Sequence, residues 1–222
     1  MLTDIILGNA GSRASRIRTV MHSRATPSIM RGLSFLVPPL ERQALYFVAD
    51  MLQQLYPTSS KPVIWANLLM PSELLWGLGL TPLLPEVMAA LGAAIGLGNY
   101  SASVAQAQHC SSDLCSFQRA TVGLDALGLL PSADMFVSTT NLCSVASYFF
   151  ANHAFSARKK FALVDIPAEH NSTTVAYVVD QFKDLICQIE EQMSVSLDMD
   201  HLQEAIRLSN QARDYMLEIS TL

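Results

Sequence analysis

The sequence predicts an α/β protein: a parallel sheet with helices on both faces, Rossmann- or flavodoxin-like, preceded by a helical N-terminal segment. Three observations point there. Short apolar runs that end at turn-forming residues ("KPVIWANLLM", "SADMFVSTTN", "KKFALVDIP") alternate with stretches whose apolar residues recur at helical spacing. Half of the 222 residues are apolar and only 15% are charged, which supplies a sizeable core and is the reverse of a disordered composition. No internal repeat or low-complexity linker interrupts the alternation. Strands alternating with helices give a parallel sheet, and such sheets bind ligands beyond the carboxyl ends of their strands.

Residues 1–60 form the basic, helical first segment. Residues 1–40 hold five arginines (Arg13, Arg16, Arg18, Arg24, Arg31) against one acid, Asp4. A transit peptide, a basic arm for an anionic partner and a solvated surface segment all fit that bias. "LERQALYFVADMLQQLY" then places Leu45, Val48, Leu52 and Leu55 on one helical face.

Residues 61–195 form the α/β domain. Its first strand lies in "KPVIWANLLM", and Pro71 suits the first turn of a helix over "PSELLWGLGL". The apolar stretch from Leu74 to Gly98 is broken by Pro82, Pro85 and Glu86 into pieces too short to span a bilayer. It reads as a buried helix, a turn and a second buried helix, with Gly92 and Gly96 marking close packing. "CSFQRATVGLDAL" is amphipathic through Phe117, Ala120, Leu124 and Leu127. A second strand and the helix "LCSVASYFFANHAF" follow, then a third strand stopped by Pro167. Asn171 or Ser172 caps the next helix, where Val175, Val178, Phe182, Leu185 and Ile189 share a face. Residues 196–222 are a closing helix, with Asp200 and Gln203 resembling a capping box and Leu202, Ile206, Ser209, Ala212 and Met216 on one side.

Several classes are disfavoured. A net charge of −5 gives no footprint for nucleic acid. Asp4 interrupts the start and no secretory signal follows, so the sequons at Asn99 and Asn171 are expected to be silent. Four cysteines in a chain this long are not a disulfide scaffold, and a reducing cytoplasm fits them. No membrane span is expected. The GxSxG, HExxH, Walker and GxGxxG patterns do not occur.

The residues that could carry chemistry are few. Cys115 opens the amphipathic segment and Cys143 lies just past a strand at the start of a helix, where the helix dipole favours a thiolate. Arg119, four residues after Cys115, adds positive charge on the same face. Cys110 and Cys115 are too far apart for CxxC. Spacing alone leaves core packing, metal or cluster ligation and redox chemistry open for these thiols. Cys187, inside a long helix off its apolar stripe, reads as structural; His109 reads as a surface residue, and His153 and His170 as helix-end or turn residues. Glu73 follows a strand and opens a helix in an apolar segment. That suits either a desolvated carboxyl group or an acid favoured in the first helical turn.

Five pieces then occur in a telling order. They are Pro71, Glu73, Leu74, Gly79 and Pro82; Cys115, Ser116, Phe117, Arg119 and Gly123; Thr140 and Cys143; Asp165 and Pro167; and Glu204, Ala205, Ile206, Asn210 and Arg213. Over residues 61–217 this order resembles the 2-hydroxyacyl-CoA dehydratase family, which includes the 2-hydroxyglutaryl-CoA dehydratase D-component and the benzoyl-CoA reductase subunits. The match departs in one spacing, an extra residue between Thr140 and Cys143.

The resemblance implies that Cys115 and Cys143 are thiolate ligands of a [4Fe–4S] cluster and that Glu73 lies near an acyl-CoA substrate. It implies a lyase in which an iron–sulfur ATPase activator delivers one electron, and a ketyl radical then expels the 2-hydroxyl group as water. It also implies a homologous partner subunit. Family subunits carry a second α/β domain with a further cluster cysteine, which this sequence does not include; Cys110 is a candidate substitute. A subunit, or part of one, inactive without a partner chain is therefore expected. The alternatives are a non-catalytic fragment or assembly subunit that retains the fold, and an electron-transfer subunit of the benzoyl-CoA reductase type.

Overall fold

The computed structural model describes residues 10–56, 62–141 and 143–221. In chain order these form α1 (Ala10–Met21), α2 (Thr26–Gly32), a 3-10 turn (Ser34–Leu36), α3 (Pro39–Leu55), β1 (Val63–Ala66), α4 (Ser72–Gly77), β2 (Thr81–Leu83) and α5 (Pro85–Ala94). There follow α6 (Gly98–Ala107), α7 (Ser116–Ala126), β3 (Met135–Thr139), α8 (Ser144–Ala157), β4 (Lys160–Val164), α9 (Ser172–Met193) and α10 (Met199–Ser220). The helix expected around Leu45 is present as α3, but the side chains of Leu45, Val48, Leu52 and Leu55 lie outside the described residues.

The chain divides into two compact units, Met1–Lys61 with Leu84–Ser132, and Pro62–Leu83 with Ala133–Leu222. The second holds the sheet. Its four strands run parallel in the order β2-β1-β3-β4, with Ile64 opposite Pro82 on one side and Met135 on the other. Helices flank this sheet, so the expected α/β class with a helical N-terminus is what the chain adopts.

Position in the sheet explains the sequence of each strand. The central strands β1 and β3 are buried throughout, which is why "VIWA" and "MFV" are continuous apolar runs rather than alternating ones. The edge strand β4 keeps only Val164 buried. At the other edge β2 contains Pro82, whose missing N–H is tolerated because an edge strand has one side without a partner. Sequence reading expected only a turn there. Three residues with a central proline carry no strand signature of their own, and pairing to β1 creates the strand.

Around the sheet, Trp65 meets Phe136 edge-on with ring centroids 5.3 Å apart. The His153 ring stacks on Trp65 at 5.2 Å and on Phe149 at 5.1 Å. This corrects the helix-end expectation for His153, which is a mid-helix residue whose ring extends the aromatic core. At the amino edge the Asp134 carboxylate accepts the Val63 N–H (3.0 Å) while the Asp134 N–H donates to the Val63 carbonyl (2.8 Å), extending the ladder by a side chain. Helix α10 docks on α4 through Gly77. A Cβ there would lie 2.9 Å from Leu202 Cβ, and the Gly77 carbonyl accepts the Asp198 N–H at 2.9 Å. The cap of α10 is Asp198 and not the expected Asp200: the Asp198 carboxylate accepts the N–H groups of Asp200 (2.9 Å) and His201 (3.1 Å). Asn171 caps α9 in a reciprocal box with Thr174, both bonds at 3.0 Å.

The described part of the other unit is helical. Helices α6 and α7 touch so closely that a Cβ on Gly123 would sit 1.8 Å from the Ser101 carbonyl oxygen, which only glycine permits. Basic residues of the first segment are used inside this unit. Arg18 donates to the Leu127 carbonyl (3.4 Å) and the His22 ring hydrogen-bonds the Gly128 carbonyl (3.0 Å), both at the C-terminal end of α7. Arg31 pairs with Asp50.

Candidate functional site

Both motif cysteines are helix N-caps. Cys143 precedes α8 in extended backbone, and Cys115 precedes α7; neither side chain makes a capping hydrogen bond. An N-cap position places a side chain beside backbone N–H groups that have no carbonyl partner within the helix. Cysteine caps poorly compared with serine or aspartate. Its use at both positions leaves the thiols uncommitted, Cys115 exposed and Cys143 half-buried, and both are free.

In the helical unit, α7 is fixed by its buried face. Gln118 donates to Glu86 (3.3 Å), and the Thr121 hydroxyl lies within reach of the Phe117 carbonyl (3.0 Å) and the Pro85 carbonyl (3.3 Å). Cys110 has a different setting. His109 adopts a left-handed backbone, φ 65°, and ends α6; the N–H of Cys110 then reaches back to the Ala105 carbonyl at 3.0 Å. Burial pushes the Cys110 thiol above its ordinary pKa, and the Arg119 guanidinium partly opposes this. The Arg119 charge is thus felt at Cys110.

In the sheet unit, the loop that delivers Cys143 leaves the carboxyl end of β3. The Thr140 hydroxyl donates to Asp165 (2.9 Å) and accepts the Ile166 N–H (2.8 Å), linking the ends of β3 and β4. The Gln181 side chain holds Asp165 by both backbone groups, at 2.8 and 2.9 Å. The Cys143 N–H donates to the Asn141 carbonyl at 2.9 Å. Glu73 lies in the first turn of α4, beyond the carboxyl end of β1. It is half-buried, and its side chain makes no hydrogen bond or ion pair with any described residue.

One residue of this rim was not legible from sequence. Asn67, 3% exposed, ends β1 and hydrogen-bonds Thr139 at the end of β3. It lies at the carboxyl end of β1, the end of a parallel sheet beyond which ligands bind. Its partner, 72 positions away, is set by the strand order alone.

The donor chemistry suits an iron–sulfur group, since thiolates are the usual cluster ligands. The number of donors is smaller than a closed site needs: among the described residues no group of three His, Cys, Asp or Glu side chains is gathered. Likewise, no helix among the described residues is long and apolar enough to cross a membrane.

Comparison with known proteins accounts for this order of residues. The chain is 25% identical over 166 residues to the (R)-phenyllactyl-CoA dehydratase alpha subunit of Clostridium sporogenes, a match covering 71% of this chain and 41% of that protein's length. The family model described as "2-hydroxyglutaryl-CoA dehydratase, D-component" matches residues 67–222, beginning at Asn67 and taking in Glu73, Cys115 and Cys143. With more than half of its length matched, the chain belongs to the 2-hydroxyglutaryl-CoA dehydratase D-component family.

Proposed function

We propose that this chain is, or is part of, the iron–sulfur subunit of a 2-hydroxyacyl-CoA dehydratase. Cys115 and Cys143 are thiolate ligands of a [4Fe–4S] cluster, and further ligands come from outside the described residues. The observation that carries this reading is that both cysteines of the family pattern stand as N-caps whose side chains do no capping. The order of the motifs over residues 67–222 supports the substrate class.

A [4Fe–4S] cluster supplies one-electron chemistry, which removing the elements of water from a 2-hydroxyacyl thioester calls for, because the hydrogen on the β carbon is too weakly acidic for a base. The residues of this chain have simpler tasks. Each of α7 and α8 begins at one of these cysteines, where N–H groups without a carbonyl partner inside the helix favour an anionic ligand. To Glu73 we assign the task of hydrogen-bonding the substrate hydroxyl or holding a proton for it; its lack of a side-chain partner among the described residues supports this. The family is described as a D-component and the relative is named an alpha subunit, and both descriptions support a partner subunit. An iron–sulfur ATPase activator and an anoxic, cytoplasmic setting complete the proposal.

Anaerobic assay of 2-hydroxyacyl-CoA dehydration beside aryl-CoA reduction, with the partner subunit and activator present, tests it. Dehydration is expected, falling about 10²-fold or more in Glu73→Gln if that carboxylate handles a proton. Activity on the aryl ester alone would move the chain to the benzoyl-CoA reductase type. The small donor count among the described residues favours a second reading, an assembly subunit that retains the fold without the cluster. In that case Cys115→Ser and Cys143→Ser would leave partner binding unchanged.

A further inference from the structure

We infer that Asn67 is a positioning residue for Cys143, acting through Thr139; the inference rests on the proposed role of Cys143 as a ligand. Asn67 and Thr139 are 3% and 1% exposed, so their polar groups need hydrogen-bond partners inside the fold. The Thr139 N–H is necessarily a donor, and it points at Asn67 Oδ1 at 3.1 Å. That fixes the amide orientation and turns Nδ2 toward the Thr139 hydroxyl oxygen, also at 3.1 Å. The Thr139 hydroxyl proton is then available to the Asn141 side chain. The Thr139 carbonyl accepts from the Ser147 hydroxyl on α8 at 3.1 Å.

The Thr139 N–H is thereby held by Asn67 and its carbonyl by Ser147 on α8, the helix that Cys143 begins, while its hydroxyl bonds Asn141, whose carbonyl accepts the Cys143 N–H. The same asparagine governs the other loop of the rim. Its N–H donates to the Val137 carbonyl (3.3 Å), and its carbonyl accepts the Met70 N–H (2.9 Å), which turns the chain toward Pro71 and Glu73. The side-chain amide thus holds the end of β3, from which the Cys143 loop departs, while the main chain of the same residue, which other side chains would leave in place, holds the departure of the Glu73 loop from β1. Aspartate cannot replace it, because it has no donor for the Thr139 hydroxyl and would bury a charge.

The test uses site-resolved alkylation of the cluster-free chain, with Cys110, Cys115 and Cys187 as internal controls, and iron and sulfide counts after anaerobic reconstitution. Asn67→Ala is expected to raise the Cys143 alkylation rate about tenfold, the scale of one buried hydrogen bond lost, and to lower iron content. Thr139→Val, which keeps shape and removes the hydroxyl, should act in the same direction, and Thr139→Ser should restore wild-type behaviour. If Asn67→Ala does not fold, Thr139→Val and Thr139→Ser decide the matter between them. Lower thermal stability with Cys143 alkylation unchanged relative to the controls would overturn the inference. A Cys143→Ser chain that keeps its full iron content would instead overturn the reading of Cys143, whatever the alkylation result.

Discussion

At the scale of single residues, the glycines of the family pattern separate into two physical kinds. Gly123 is required by contact, since the Ser101 carbonyl oxygen occupies the place of its side chain at 1.8 Å. Gly79 is required by backbone conformation, with φ +70° and nothing within 4 Å of an added Cβ. Alanine at Gly79 should therefore cost only the left-handed penalty of about 1–2 kcal/mol. Alanine at Gly123 must push α6 away from α7 and should cost more than about 3 kcal/mol, or prevent folding. Thermal or denaturant unfolding of the two variants measures the difference; equal effects would show that α6 and α7 do not approach so closely.

At the scale of elements, α10 carries a pH signature at its start. Backbone hydrogen bonds from His201, and to a lesser extent Asp200, hold the Asp198 carboxyl below its ordinary pKa of 3.8. A depressed carboxyl pKa stabilises the folded state above the unfolded value and loses that contribution as pH falls through the folded one. The first turn of α10 should thus loosen only below about pH 4. Amide exchange at Asp200 and His201 would report it. Asp198→Asn keeps an acceptor but should remove the acid dependence, whereas persistence of that dependence would assign it elsewhere.

Most elements were legible because local pattern and tertiary role agree. β1 and β3 are central and wholly buried, with apolar runs in "VIWA" and "MFV", and α9 and α10 have strong apolar periodicity and polar caps. β2 was not legible, because only its edge position excuses Pro82. The cap of α10 was misjudged by two residues because Asp198 and Asp200 are both plausible caps in sequence; the Asp198 N–H bonded to Gly77 selects between them. At the site, Cys115 and Cys143 were legible as helix starts. Asn67 was not, because its role exists only once β1 and β3 lie side by side. His153 was misplaced because a ring stacked on Trp65 leaves no trace in the linear pattern.

At the scale of the whole molecule, the chain spans 41% of the length of the curated relative it matches, so activity, substrate and partners belong to the proposal rather than to the fold. The family match begins at Asn67, the rim residue of β1, and runs through both units. Within each unit one motif cysteine begins a helix held by a polar contact, from Thr121 in one and Ser147 in the other. The central claim is that these two thiols ligate one iron–sulfur cluster. The direct measurement is iron and acid-labile sulfide per chain after anaerobic reconstitution with the partner subunit, for wild type, Cys115→Ser, Cys143→Ser and Cys187→Ser. The account predicts about four of each in the wild type and in Cys187→Ser, with clear loss in the other two. Equal iron in all four proteins, or none in any, would contradict it.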